Sequence, residues 1–165
     1  MDKTTNVINV GMADLRTATS PDRIRTTGLG SCVGIALYDP VHRIGGLAHI
    51  MLPSSDMVRV GNVNKAKYAD TAIPLLVDEM LKLGARKSSI IAKIAGGAQM
   101  FQFQSQIDMM RIGPRNVEAT KETLKKLGIS IVAEDTGGNF GRTIELDTFS
   151  GILLIKTVNK GVHEI

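Results

Sequence analysis

The feature that most constrains this chain is a pair of near-continuous apolar runs, CVGIALY from Cys32 to Tyr38 and IGGLAHIML from Ile44 to Leu52, with Asp39-Pro40 turning the chain between them. Short apolar runs bounded by turn residues read as strands, and their brief connection reads as a hairpin whose loop holds His42 and Arg43. A turn centred near Val41 pairs positions whose numbers sum to about 82, which sets Cys32 opposite residue 50 and beside His49. The single cysteine of the chain and one of its three histidines are therefore expected to be neighbours.

The remaining elements follow from periodicity and punctuation. Arg23 to Thr27 reads as extended, and Pro53 to Lys67 as a mobile polar surface loop. Ala69, Ala72, Ile73, Leu76, Val77 and Met80 recur on one face of a helix that Gly84 stops. Pro74 fits that helix without losing a hydrogen bond if Thr71 is the N-cap, whereas a start near Lys67 requires a kink. Ser89 to Ala95 reads as a strand ended by Gly96-Gly97. A second helix is expected from Pro114 to Leu127, with Glu118 early, Lys125 and Lys126 late and Gly128 as its stop. Strands at Ser130 to Glu134, Thr143 to Asp147 and Ile152 to Thr157 complete the chain. The order helix, strand, Gly-Gly occurs twice, ending at Gly96-Gly97 and at Gly137-Gly138; duplication and chance are both open explanations.

At 165 residues the chain has the size of one domain, so residues 1–165 are expected to form a single unit. Trp is absent and aromatics make up only 4%, which leaves the core to aliphatic side chains. No stretch approaches the roughly 18 apolar residues of a membrane span, and the N-terminus shows no cleavable leader, so a cytoplasmic location is expected. One cysteine cannot form an internal disulfide. The net charge of +4 favours acidic partners. Nucleic acid is not expected, because the basic residues are scattered without interleaved aromatics. Gly28, Gly30 and Gly34 superficially suggest a dinucleotide loop, but that fingerprint opens a helix, and here it leads into an apolar strand. No phosphate-binding loop or zinc-spaced ligand set occurs, so neither a cofactor nor a metal is implied.

A free cysteine most often packs as a small hydrophobe. The context of Cys32 favours chemistry instead: Gly28-Leu29-Gly30-Ser31 precedes it, a turn whose backbone amides, at Gly30 and Ser31 above all, can converge on an oxyanion. A thiol nucleophile needs a base. His42 falls in the hairpin loop and His163 in the tail, both exposed positions, which leaves His49, although a strand histidine is also commonly a satisfied core residue. Thr26, on its residue type alone, is an ordinary β-branched strand residue.

Thr26-Thr27-Gly28-Leu29-Gly30-Ser31-Cys32-Val33-Gly34, Asp39-Pro40 and Gly46-Leu47-Ala48-His49-Ile50-Met51-Leu52-Pro53 together resemble the signature of the CheD family. Later segments match in the same order: Lys67 to Ala72, Ala92 to Ala98, Gly113 to Val117 and Ala133 to Asn139. The resemblance implies hydrolysis of glutamine side-chain amides on chemoreceptors and a Cys/His/Thr triad at Cys32, His49 and Thr26. It also implies an α/β (α+β) fold of layered mixed sheets with flanking helices, similar to the cytotoxic-necrotizing-factor type of cysteine deamidase. A second role is implied as well, binding to a CheC-type phosphatase, and this non-catalytic regulatory role is the main alternative. A thiol peroxidase or redox sensor is a third reading, disfavoured by the lack of a resolving cysteine. Met100, Phe101 and Phe103, apolar in a Gln-rich segment, are either core packing under a loop or a docking surface for a helical partner.

Overall fold

The computed structural model describes residues 4–57, 61, 63–99 and 111–165. Two five-stranded mixed sheets and two helices stack in three layers. The middle sheet contains β2 (Asp14–Thr19), β5 (Ile44–Ile50), β4 (Val33–Asp39), β6 (Ile91–Gly96) and β7 (Ile131–Thr136), in that spatial order. The outer sheet contains β1 (Val7–Val10), β3 (Arg23–Leu29), β8 (Arg142–Asp147), β9 (Leu153–Thr157) and β10 (Gly161–Glu164). Helices α1 (Ala69–Lys82) and α2 (Ile112–Leu127) cover the free face of the middle sheet.

This layering explains the continuous apolar runs. Every residue of β4 and β5 is buried, because one face meets the outer sheet and the other meets the helices. Ile35, Leu37, Ala48 and Ile50 pack under α1 and α2, while Ala36 and Leu47 face Ile144, Leu146, Leu153 and Ile155 of the outer sheet. The β4–β5 hairpin has Gly34 opposite His49 and Val33 opposite Ile50. The expected register is thus off by one position, since the loop is centred between Val41 and His42. His49 consequently lies across from Gly34, and Cys32 sits just before β4 on the side that joins the core between the sheets.

Helix α1 buries the six apolar residues that its periodicity picked out. Its start differs from expectation: Tyr68, not Thr71, is the N-cap residue, and Pro74 lies inside the helix. Tertiary bonds pull the chain into helix early. The Ala69 amide donates to Leu52 O at 3.0 Å, and the Thr71 hydroxyl donates back to Lys65 O at 2.6 Å. Burying several large aliphatic side chains at roughly 1.5–3 kcal/mol each outweighs an interior proline, which costs about 3 kcal/mol.

Helix α2 begins two residues earlier than expected and ends, as expected, on Gly128 in the left-handed region at φ 73°. Short 3-10 turns at Ser55–Met57 and Lys65–Lys67 occupy parts of the segment read as a loop. Strands β1, β2 and β10 are additional to the sequence reading. The two helix-strand-glycine stretches end in neighbouring parallel strands, β6 and β7. No described helix is long and apolar enough to cross a membrane.

Candidate active site

β1 runs parallel to β3 with Val10 beside Thr26, while β5 crosses in the facing sheet, so Thr26 and His49 meet between the sheets. The Thr26 hydroxyl lies 2.7 Å from His49 Nδ1 and 2.8 Å from the Val10 carbonyl oxygen. A carbonyl can only accept, so the single hydroxyl proton goes to Val10 O, and Oγ1 must accept from His49 Nδ1–H. The relay therefore selects the tautomer with Nε2 unprotonated. Both side chains are buried, and among the described residues His49 Nε2 meets no hydrogen-bond partner, the Cys32 sulfur included. A buried, unpaired ring nitrogen is costly unless the site uses it.

Cys32 is 9% exposed, at the edge of this buried centre. Burial pushes its thiol above the ordinary range, partly offset by its own backbone amide beside the sulfur. Burial also lowers the pKa of His49. Both shifts favour the uncharged forms, a thiol and a free base, over a thiolate-imidazolium ion pair.

The turn before Cys32 is fixed by its carbonyls. Gly30 O accepts from Ala98 N at 2.8 Å, Ser31 O from Asn116 Nδ2 at 2.9 Å, and Cys32 O from Gly97 N at 2.8 Å. Gly28 has φ +74°, whereas Gly30 does not use the left-handed region, and the Gly30 N–H is turned to Gly28 O at 3.1 Å. Of the expected oxyanion donors, Gly30 thus contributes a clamped carbonyl. The N–H groups of Ser31 and Cys32 meet no oxygen or nitrogen acceptor among the described residues. Gly96 is required here: φ is +106°, and a Cβ would overlap the Cys32 carbonyl oxygen.

The other histidines lie outside this centre. His42 donates from Nδ1 to the Asp39 carboxylate at 2.8 Å in the hairpin loop, and His163 on β10 pairs with Asp135 at 2.6 Å. Met100, Phe101 and Phe103 lie outside the described residues. Two residues near the site were not singled out from the sequence. Asn116 touches the nucleophile turn from α2, and buried Arg142 donates to Gly96 O at 3.4 Å, beside that turn, and to Asp135 at 3.1 Å. The Asn116 signal was available in the Gly113-Pro114-Arg115-Asn116-Val117 segment, where a polar residue falls on the inward face of a helix.

The chain is similar to known proteins over most of its length. Residues 51–157 match the family model described as CheD chemotactic sensory transduction. The chain is 57% identical, over 96% of its length and 98% of the relative's, to the probable chemoreceptor glutamine deamidase CheD of Caldanaerobacter subterraneus. It is 55% identical, over 97% of its length and 99% of the relative's, to the chemoreceptor glutamine deamidase CheD of Halalkalibacterium halodurans. With that of Bacillus licheniformis it shares 52% identity over 100% of this chain and 98% of the relative. Among solved structures, a Neisseria meningitidis protein of the DUF152 family superposes with a TM-score of 0.52 at 9% identity, over 82% of this chain. The chain spans 65% of that protein's length, and the likeness is one of fold.

Proposed function

The chain belongs to the CheD family, and on that premise we propose that it is a protein-glutamine deamidase that converts glutamine side chains of chemoreceptors to glutamate, in the cytoplasm. The observation that carries this reading is the Thr26–His49 bond, which leaves Nε2 of the imidazole unprotonated, and unpaired among the described residues, on the same side of the hairpin as the only thiol of the chain.

The steps follow from the resting state. His49 Nε2 removes the proton from Cys32 as the sulfur attacks the side-chain carbonyl carbon of a glutamine. The negative charge that develops on the carbonyl oxygen faces the Ser31 and Cys32 amides. The imidazolium then returns the proton to the departing nitrogen, ammonia leaves, and a thioester links Cys32 to the substrate. Water, deprotonated by the same Nε2, attacks that thioester, giving a glutamate side chain and restoring the thiol. Thr26 holds the imidazole in one tautomer throughout and stabilises its charged form through the Val10 carbonyl. The sulfur-to-Nε2 hydrogen bond, open in the free chain, closes when substrate fills the site.

The CheC-type phosphatase belongs to the same proposal as a second partner. Binding it needs no thiol chemistry, so a Cys32→Ala chain that still forms the complex would separate the two roles. The deamidase reading itself is tested by the intact mass of a receptor fragment incubated with the protein.

A further inference from the structure

A peptide group is planar and trans, so its C=O and the N–H of the following residue point in opposite directions, and fixing one aims the other. The Ser31 and Cys32 N–H groups share their peptide planes with the Gly30 and Ser31 carbonyls, and both bonds are trans. Each carbonyl has its own clamp: Ala98 N at 2.8 Å on Gly30 O, and Asn116 Nδ2 at 2.9 Å on Ser31 O. The first clamp is backbone and independent of side-chain identity. The second is a single side chain.

Asn116 is fully buried on the inner face of α2, and its Nδ2 also donates to Met51 O at 3.0 Å. Met51 lies two residues beyond His49, so one amide group ties the peptide before the nucleophile to the end of the strand that carries the base. Asn116 Oδ1 has no partner among the described residues, where only the donor end is engaged. The start of α2 is held at backbone contact with the residue of the first clamp, since a Cβ on Gly113 would overlap Ala98 O. The Cys32 amide that Asn116 aims lies beside the Cys32 sulfur, where the oxyanion of a tetrahedral adduct forms.

We infer that Asn116 is a positioning residue for the reaction: it holds the Ser31 carbonyl and thereby aims the Cys32 N–H at the developing oxyanion, touching neither substrate nor sulfur. The inference rests on the deamidase reading above. Its test exploits a difference in chemistry. Deamidation builds an oxyanion, whereas alkylation of Cys32 by iodoacetamide, a displacement at carbon, does not.

Asn116→Ala is expected to lower kcat on a receptor fragment about 10- to 100-fold with little change in KM. The alkylation rate constant should fall by far less than kcat, because alkylation builds no oxyanion and senses the Cys32 amide only through its partial offset of burial at the thiol. Asn116→Leu, similar in shape and without the donor, should behave alike and covers the case in which the smaller side chain unfolds the protein. Equal losses in deamidation and alkylation would assign Asn116 a purely structural role and overturn the inference. Unchanged deamidation, or loss of the folded circular dichroism spectrum in both variants, would also overturn it. If the unsubstituted chain leaves the fragment unaltered, the deamidase reading fails and the inference falls with it.

Discussion

The Thr26 hydroxyl stands 2.7 Å from His49 Nδ1 and donates its only proton to the Val10 carbonyl at 2.8 Å, so it can serve the imidazole solely as an acceptor. Thr26→Val keeps the shape and removes that acceptor. It should lower kcat on a receptor fragment by about 10- to 100-fold and leave KM nearly unchanged, because a misoriented base impairs the transition state more than binding. The neighbouring Thr27 is exposed on the opposite face of β3, and Thr27→Ala should change kcat by less than about twofold. Steady-state kinetics with circular dichroism would check both. A larger loss from Thr27→Ala in a folded chain would shift the triad by one residue.

The pH dependence separates a thiol and free base from a preformed ion pair. His49 acts only when neutral, and burial places its pKa below the ordinary 6.5, so the acid limb of kcat/KM should fall below pH 6.5. Burial raises the Cys32 pKa above its ordinary 9.0, so alkylation by iodoacetamide should keep accelerating beyond pH 9.0. An ion pair would instead give an alkylation rate already at its plateau in neutral solution.

Asp39 is a structural counterpart to these catalytic residues. Its buried carboxylate accepts from the amides of Val41, His42 and Arg86 and from His42 Nδ1, which pins the hairpin loop to the start of the segment before β6. Burial alone would raise its pKa, but these hydrogen bonds outweigh burial and set it below the ordinary 3.8. The folded state therefore binds this proton less tightly than the unfolded chain. The resulting stabilisation is complete above pH 3.8 and is lost as pH falls through the lower folded value. Asp39→Asn should cost about 2 kcal/mol in urea unfolding at pH 7, with the gap to the unsubstituted chain narrowing in acid.

Much of the fold and site was legible where side chains alone decide the outcome. The apolar runs announced β4 and β5 because both faces of those strands are covered, and the α1 face was read correctly because its six buried residues keep a helical period. β1 and β10 were missed because they are short and mostly exposed, leaving little apolar alternation to detect. The start of α1 was misplaced because Leu52 and Lys65, distant from its local signals, hold it. Within the site, Cys32 and His49 could be paired from the hairpin, but Thr26 could not be derived that way. Its contact with His49 crosses between two sheets, and on residue type alone it is one strand threonine among several. Asn116 is legible in the sequence only as part of a motif, since nothing local indicates that its amide reaches back to Ser31.

Hydrolysis of receptor glutamine amides by Cys32, with His49 as base, is read out by intact-mass spectrometry of a purified chemoreceptor cytoplasmic fragment incubated with the protein. The expected result is a gain of about 1 Da per converted glutamine, the difference between an amide and an acid in the thioester route. Cys32→Ala and His49→Ala, both folded, should abolish the gain, whereas His42→Ala and His163→Ala, changed outside the site, should preserve it. A fragment of unchanged mass with the unsubstituted chain, or an undiminished gain with Cys32→Ala, would show that Cys32 does not carry out this hydrolysis.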